Sequence, residues 1–252
     1  MILTRYLVIP VFILFCHLAY AEEAIVAVAA NFTAAMNDIV SAFEKETGHT
    51  IKLSFGSSGK FYAQIKNGAP FQAFFSADQA KPMALEQDGL VVPGSRFTYA
   101  TGALALWSTR ADLAGRQVEA LKEGWFNKLA IANPELAPYG AASVEVLRSL
   151  GIEAAVRPKL VTGENIAQAY QYVSTGSADL GFVALSQIKS RGSIKDSLVW
   201  IVPHDLYNTI RQDAVLLKSG AQNKSVRDLL QFVRGKKAVS IIEFYGYRTD
   251  MP

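Results

Sequence analysis

Four short stretches in this chain combine hydrogen-bonding or very small residues with the start of a helical pattern. They are Ala30-Asn31, Gly56-Ser57-Ser58-Gly59, Pro138-Tyr139-Gly140 and Glu164-Asn165-Ile166. The first N–H groups of a helix have no intrahelical partner, and together they carry roughly half a positive charge. Asn31, Ser57, Ser58, Tyr139 and Asn165 add neutral side-chain donors, and the glycines let a guest approach the backbone. Donors without formal charge, repeated four times, describe an anion site. Each stretch also has a plainer reading, because Asn caps helices and Gly-Ser turns connect elements in any protein.

Other chemistries fit less well. Ser57-Ser58-Gly59-Lys60 matches S-x-x-K, and Lys218-Ser219-Gly220 approximates a K-T-G element, the pattern of a serine acyl-transferase of the penicillin-binding type. No S-x-N or Y-x-N lies between them, and such a serine belongs on a helix after an all-helical segment. A phosphate loop ending at Gly59-Lys60 requires Gly at position 54 and Ser or Thr at position 61, where Ser54 and Phe61 stand. His49 and His204 have no partner at metal-ligand spacing. The single cysteine, Cys16, lies in the N-terminal apolar stretch, so cysteine chemistry is excluded from the body of the chain.

The elements that would position these turns alternate between strand and helix. Ile25 to Ala29 is a short apolar run, and after it Phe32, Met36, Ile39, Val40 and Phe43 recur at helical spacing, with Asn31 as expected N-cap and Thr47-Gly48 as the stop. The alternation continues with a strand over 51–55, a helix over 60–66, a strand over 73–76 and a helix over 81–87. Thr98 to Trp107 reads as one long strand. The pattern then restarts with a strand over 129–132, a helix that follows Pro138-Tyr139-Gly140 and runs through Leu150, a helix after Asn165, a strand over 179–184 and a strand over 213–217. Ser225 with Asp228 suggests a capping box for the next helix, and a last helix runs to about Tyr245. Such alternation predicts α/β architecture: two lobes, each a mainly parallel sheet flanked by helices, with two crossover strands as the hinge. The expected division is 22–101 plus 204–252 for one lobe and 102–203 for the other.

Arg5, the apolar run Tyr6 to Leu18 and the small residues of Ala19-Tyr20-Ala21 read as a cleaved export signal over residues 1–21. The run is shorter than a membrane span and contains Pro10. Cleavage would leave 252 − 21 = 231 residues, and because only Arg5 of the 25 basic residues departs, a formal charge of 24 − 22 = +2. That balance offers nucleic acid no broad basic surface. The length favours two cores over one.

At these same turns the sequence resembles the periplasmic molybdate-binding proteins of ABC importers. The resemblance rests on Val28-Ala29-Ala30-Asn31-Phe32-Thr33, Phe55-Gly56-Ser57-Ser58-Gly59, Gly68-Ala69-Pro70, Phe74-Phe75-Ser76-Ala77-Asp78, Ala132-Asn133-Pro134 with Pro138-Tyr139-Gly140, and Tyr245-Gly246-Tyr247. It spans nearly the whole chain after the leader. It implies a two-lobed clamp, often called a Venus flytrap, that is not an enzyme and needs no cofactor. The clamp would hold molybdate or tungstate between Asn31 and Ser58 of one lobe and Tyr139 and Ile166 of the other, Ile166 acting through its backbone N–H. Ala30, Ser57 and Asn165 are further candidates. Molybdenum would be held as an oxyanion, with no direct cation ligands. The resemblance also implies periplasmic location, a monomer, and ABC permease subunits as partner. Many relatives have Ser where Asn31 stands, a small residue where Tyr139 stands, and some a Tyr where Ala184 stands. The rival reading within the same architecture is a carrier for sulfate or another tetrahedral oxyanion.

Overall fold

The computed structural model describes residues 24–189 and 198–250. The expected leader and Cys16 lie outside them. Two five-stranded sheets organise the chain, ordered β2-β1-β3-β10-β4 and β7-β6-β8-β5-β9. The first contains β1 (Ala24–Ala29), β2 (Ile51–Gly56), β3 (Ala73–Phe75), β4 (Phe97–Gly102) and β10 (Ile210–Leu216). The second contains β5 (Leu104–Trp107), β6 (Leu129–Ala132), β7 (Leu160–Gly163), β8 (Leu180–Ala184) and β9 (Val199–Ile201).

In each sheet four strands run in one direction and a single strand, β10 in the first and β5 in the second, runs against them, so the sheets are mainly parallel as predicted, with one reversed member each. β1 pairs parallel with β2 and β3, whereas β10 is antiparallel to both β3 and β4. β6 pairs parallel with β7 and β8, and β5 is antiparallel to β8 and β9. The reason lies in the crossings between sheets. The expected long strand over 98–107 is present, but it belongs to both sheets: β4 ends at Gly102, Ala103 makes the crossing, and β5 begins at Leu104. The chain returns between β9 and β10 through a 3-10 turn, His204–Leu206. Strands that enter or leave along these crossings meet their neighbours head to tail.

Helices follow the apolar periodicity. Helix α1 (Thr33–Thr47) buries Ala35, Met36, Ile39, Val40 and Phe43 and ends at Gly48, whose φ of 70° is left-handed. Helix α2 covers Ser58–Lys66, α3 Ala80–Gln87, α4 Gln117–Glu123, α5 Pro138–Ser149, α6 Glu153–Val156, α7 Ile166–Ser174, α8 Leu185–Lys189, α9 Lys224–Val233 and α10 Lys236–Phe244. Two caps differ from expectation. A 3-10 turn, Ala30–Phe32, intervenes before α1, so Phe32 occupies the N-cap position and Asn31 is released for other bonds. At α9 the cap is Asn223, whose side chain accepts from the N–H groups of Ser225 and Val226. Ser225 Oγ instead meets His49, which also contacts Asp228.

Each sheet has its own core. In the first, Phe32, Phe43, Phe75 and Tyr99 pack with the apolar faces of α1, α9 and α10. In the second, Leu104, Leu106, Phe182, Val146 and Leu147 do the same. The edge where β8 begins is fastened by Asp179, whose carboxylate accepts from the N–H groups of Asn127 (2.7 Å) and Lys128 (3.0 Å) and from Arg110 Nη1 (3.1 Å). Burial pushes this carboxyl upward, but the two backbone donors and Arg110 outweigh it and hold it below its ordinary value. A depressed carboxyl contributes stability that is complete above the unfolded value near 3.9 and is lost as pH falls through the folded one. Asp179→Asn should therefore cost about 1 to 2 kcal/mol at neutral pH. In thermal melts its deficit against the parent should shrink as pH drops through 4; a deficit constant down to pH 2 would contradict this.

Candidate functional site

Where the two sheets face each other, the ends of β1, β2, β6 and β7 bring four turns to one enclosed point. The cavity there is lined by Ala29, Ala30 and Asn31, by Gly56, Ser57 and Ser58, by Ala77 after β3, by Ala137, Pro138 and Tyr139, and by Asn165 and Ile166. All seven residues predicted from the sequence line it, drawn from both sheets. None of the lining residues carries a formal charge. Its volume is about 10 Å³ of room for the centre of a water-sized sphere. Pockets for drug-sized ligands run to several hundred Å³, so a sugar or a peptide is excluded from the closed cavity.

The hydrogen bonds divide these residues into those committed within the protein and those free to serve a guest. Ser58 Oγ accepts the N–H of Ala77 at 2.9 Å, which turns its own proton away from that bond. Ser57 Oγ is buried and meets no protein partner, an exception among buried polar atoms. Asn165 is the N-cap of α7 and accepts from the N–H groups of Ala167 and Gln168, leaving the N–H of Ile166, the first helical residue, outside the cap. Pro138 opens α5, and Tyr139 follows it within the first turn. Three helix amino termini and one 3-10 turn thus converge on the cavity.

One expected side-chain donor, the Asn31 amide, is engaged elsewhere, and the Tyr139 hydroxyl oxygen accepts a bond from within the protein. Asn31 Nδ2 donates to Gln212 Oε1 at 2.8 Å and to Tyr247 Oη at 3.0 Å. Gln212 Nε2 in turn donates to Tyr139 Oη at 3.2 Å, and Tyr99 Oη donates to Gln212 Oε1 at 3.0 Å. The Tyr247 hydroxyl and Ser186 Oγ both reach the carbonyl of Asn31, at 2.8 and 2.9 Å. Tyr139 and Ser186 stand on the side of the second sheet, the others on the first, so a buried polar network spans the interface. Burial first of all pushes the hydroxyls of Tyr99, Tyr139 and Tyr247 well up, keeping them neutral donors. A bulge between Gln212 and Asp213 lets successive residues of β10 both turn inward. Gly102 makes room for the network: a Cβ there would lie 2.0 Å from Tyr139 Oη and 2.6 Å from Gln212 Nε2.

Residues 24–248 match the family model described as "Bacterial extracellular solute-binding protein". The chain belongs to this family. Within it, the chain is 53% identical over 229 residues to the molybdate-binding protein ModA of Azotobacter vinelandii, covering 91% of each. It is 47% identical over 234 residues to ModA of Rhodobacter capsulatus, covering 92% of this chain and 90% of that one. Among solved structures it resembles the Azotobacter vinelandii periplasmic molybdate-binding protein with a TM-score of 0.86 at 40% identity, over 90% of this chain and 99% of that one.

In this solute-binding protein the serine acyl-transferase reading loses its base. Lys60 Nζ pairs with Glu164 at 3.0 Å across the cleft, whereas Ser57 Oγ has no partner. The N–H groups of Ser225 and Val226, beside the Ser225–His49–Asp228 string, are already taken by the Asn223 side chain. Among the described residues no group of three metal-ligating side chains occurs, and no helix is long and apolar enough to cross a membrane. Sequence reasoning missed Gln212, Tyr99 and Ser186, which carry no local motif; Tyr247 lay in the Tyr-Gly-Tyr segment of the family resemblance. Gln212→Leu would leave the Asn31 amide and Tyr139 hydroxyl without their shared partner. It should lower stability by about 1 to 3 kcal/mol, read by denaturant unfolding. A midpoint equal to the parent's would show the network to be incidental.

Proposed function

We propose that the cavity binds molybdate, with tungstate as an equivalent guest, for delivery to the permease of an ABC importer. The observation that carries this reading is a small enclosed cavity with hydroxyl and first-turn N–H donors and no charged lining residue, in a chain whose relatives are named for molybdate. Ser57 and Ser58 would donate through their hydroxyls. Asn31, Ser58, Tyr139 and Ile166 would donate through their backbone N–H groups, which helical and 3-10 ladders leave unpaired at a first turn. Ala30 would supply close backbone approach, and Asn165 would orient the Ile166 N–H without touching the guest.

A dianion held this way is compensated by dipoles, at roughly 1.5 to 3 kcal/mol per bond to a charged group, with each helix terminus contributing partial positive charge. Donors alone also discriminate, since protonated phosphate needs an acceptor. Sulfate presents no proton and would be rejected by size, through its shorter bonds. We take the lobes to be 22–101 with 204–252, and 102–203, hinged at the two crossings. Because both lobes supply donors, the guest favours the closed arrangement. The same reading makes the protein an exported monomeric carrier, periplasmic after removal of residues 1–21. It has no catalytic residues, no cofactor and no nucleic-acid partner.

Isothermal calorimetry should give similar affinities for molybdate and tungstate and far weaker binding of sulfate and phosphate. Sulfate binding as tightly as molybdate would move the assignment to the sulfate carrier. Ser58→Ala should weaken molybdate binding by about 1.5 to 3 kcal/mol through loss of one charge-assisted bond; an unchanged dissociation constant would remove the Ser58 hydroxyl from the site.

A further inference from the structure

Gly59 stands at the second position of α2, beside the cavity but not among its lining residues. Its φ is not in the left-handed region, so the backbone conformation does not demand glycine. At a helical position alanine would be favoured over it. The reason for glycine lies on the other side of the cleft. A Cβ at Gly59 would lie 2.9 Å from the Cα of Leu136 and 3.0 Å from its carbonyl oxygen. These are backbone atoms in the turn between β6 and α5, on the second sheet's side, and they cannot swing aside as a side-chain tip can. The absent side chain is used for a bond: the N–H of Gly59 donates to the carbonyl of Leu136 at 2.8 Å, directly from one lobe's backbone to the other's. This N–H belongs to a first turn and has no partner within its own helix. Beside it, Lys60 Nζ reaches Glu164 at 3.0 Å, also across the cleft, with both side chains about half exposed.

We infer that Gly59 is a closure residue: its N–H bonded to the Leu136 carbonyl is a latch between the lobes that sets affinity and residence time without touching the guest. The two groups meet only when the lobes are shut, so the bond stabilises the closed arrangement alone, and a binding equilibrium that depends on closure inherits that stabilisation. The neighbouring ion pair is exposed and contributes little by comparison.

The inference rests on the molybdate reading for its titrant, and two measurements keep the readings separable. In the first, Gly59→Ala and the parent protein are titrated with molybdate by calorimetry and followed by stopped-flow fluorescence. The variant should melt, without molybdate, at the parent's temperature or above, because alanine suits the helix. It should bind molybdate ten- to a hundredfold more weakly, mostly through faster dissociation, while Lys60→Gln changes affinity less than threefold. A Gly59→Ala dissociation constant within twofold of the parent's overturns the latch. In the second, residue-resolved amide exchange of the parent protein reads the bond itself. With molybdate bound, the Gly59 amide should exchange at least tenfold more slowly than in the free protein, and exchange at the rate of an unstructured amide overturns the inference even if the variant does not fold. If the parent binds no molybdate at all, the molybdate reading falls. The latch is then decided by the Gly59 amide without ligand, where protection supports it and unprotected exchange overturns it.

Discussion

The constraint on which the rest of the structure depends is that backbone N–H groups at helix starts must be aimed, unpaired, at a single point from two separate sheets. An unpaired donor facing a dry interior is costly, and a charged guest without compensation is costlier. Each deficit removes the other when they meet. The α2, α5 and α7 amino termini therefore have value only in their mutual placement, which the strand ends of β2, β6 and β7 provide.

Aiming donors requires fixing what surrounds them. The polar network of Asn31, Gln212, Tyr99, Tyr139, Tyr247 and Ser186 adjoins the cavity, to which Asn31 and Tyr139 themselves belong, and its members hydrogen-bond to one another. A satisfied buried network is directional in a way an apolar core is not, and it holds the 3-10 turn at Asn31 against the start of α5. Its members come from β4, β10, the C-terminal segment and both lobes. Aromatic contacts of Phe32 with Tyr99 (4.7 Å) and Tyr247 (5.2 Å) brace the same turn from the core side. Gly102, at the last position before the chain crosses between sheets, gives Tyr139 and Gln212 the space in which they meet.

Closure draws on a second set of contacts whose logic is steric. Each sheet has its own core, and the crossing at Ala103 together with the return through His204–Leu206 are the covalent links between the two. Between moving units, side-chain contacts can adjust and backbone contacts cannot. A backbone-to-backbone bond such as Gly59 to Leu136 therefore defines the shut geometry more sharply than the exposed Lys60–Glu164 pair can.

The sequence by itself determined the elements and the ring of candidates. Met36, Ile39, Val40 and Phe43 announce α1 by their spacing, Gly48 announces its end, and the four donor-bearing turns were readable because helix starts need small or capping residues whatever they bind. These are local consequences of periodicity and capping, available to a reader of ten residues at a time. Which atoms of those residues are committed to bonds within the protein was decided only by tertiary structure. Asn31 looked like a cap and a side-chain donor until Gln212, 181 positions away, took its amide nitrogen. Tyr139 looked like a hydroxyl donor, and only the fold supplied Gln212 Nε2 as the donor that its oxygen accepts. The one reversed strand of each sheet, the split of the 98–107 strand and the pairing of Gly59 with Leu136 all depend on segments far apart in the chain. No local pattern encodes such contacts, because the partner that gives a residue its role is supplied by the fold.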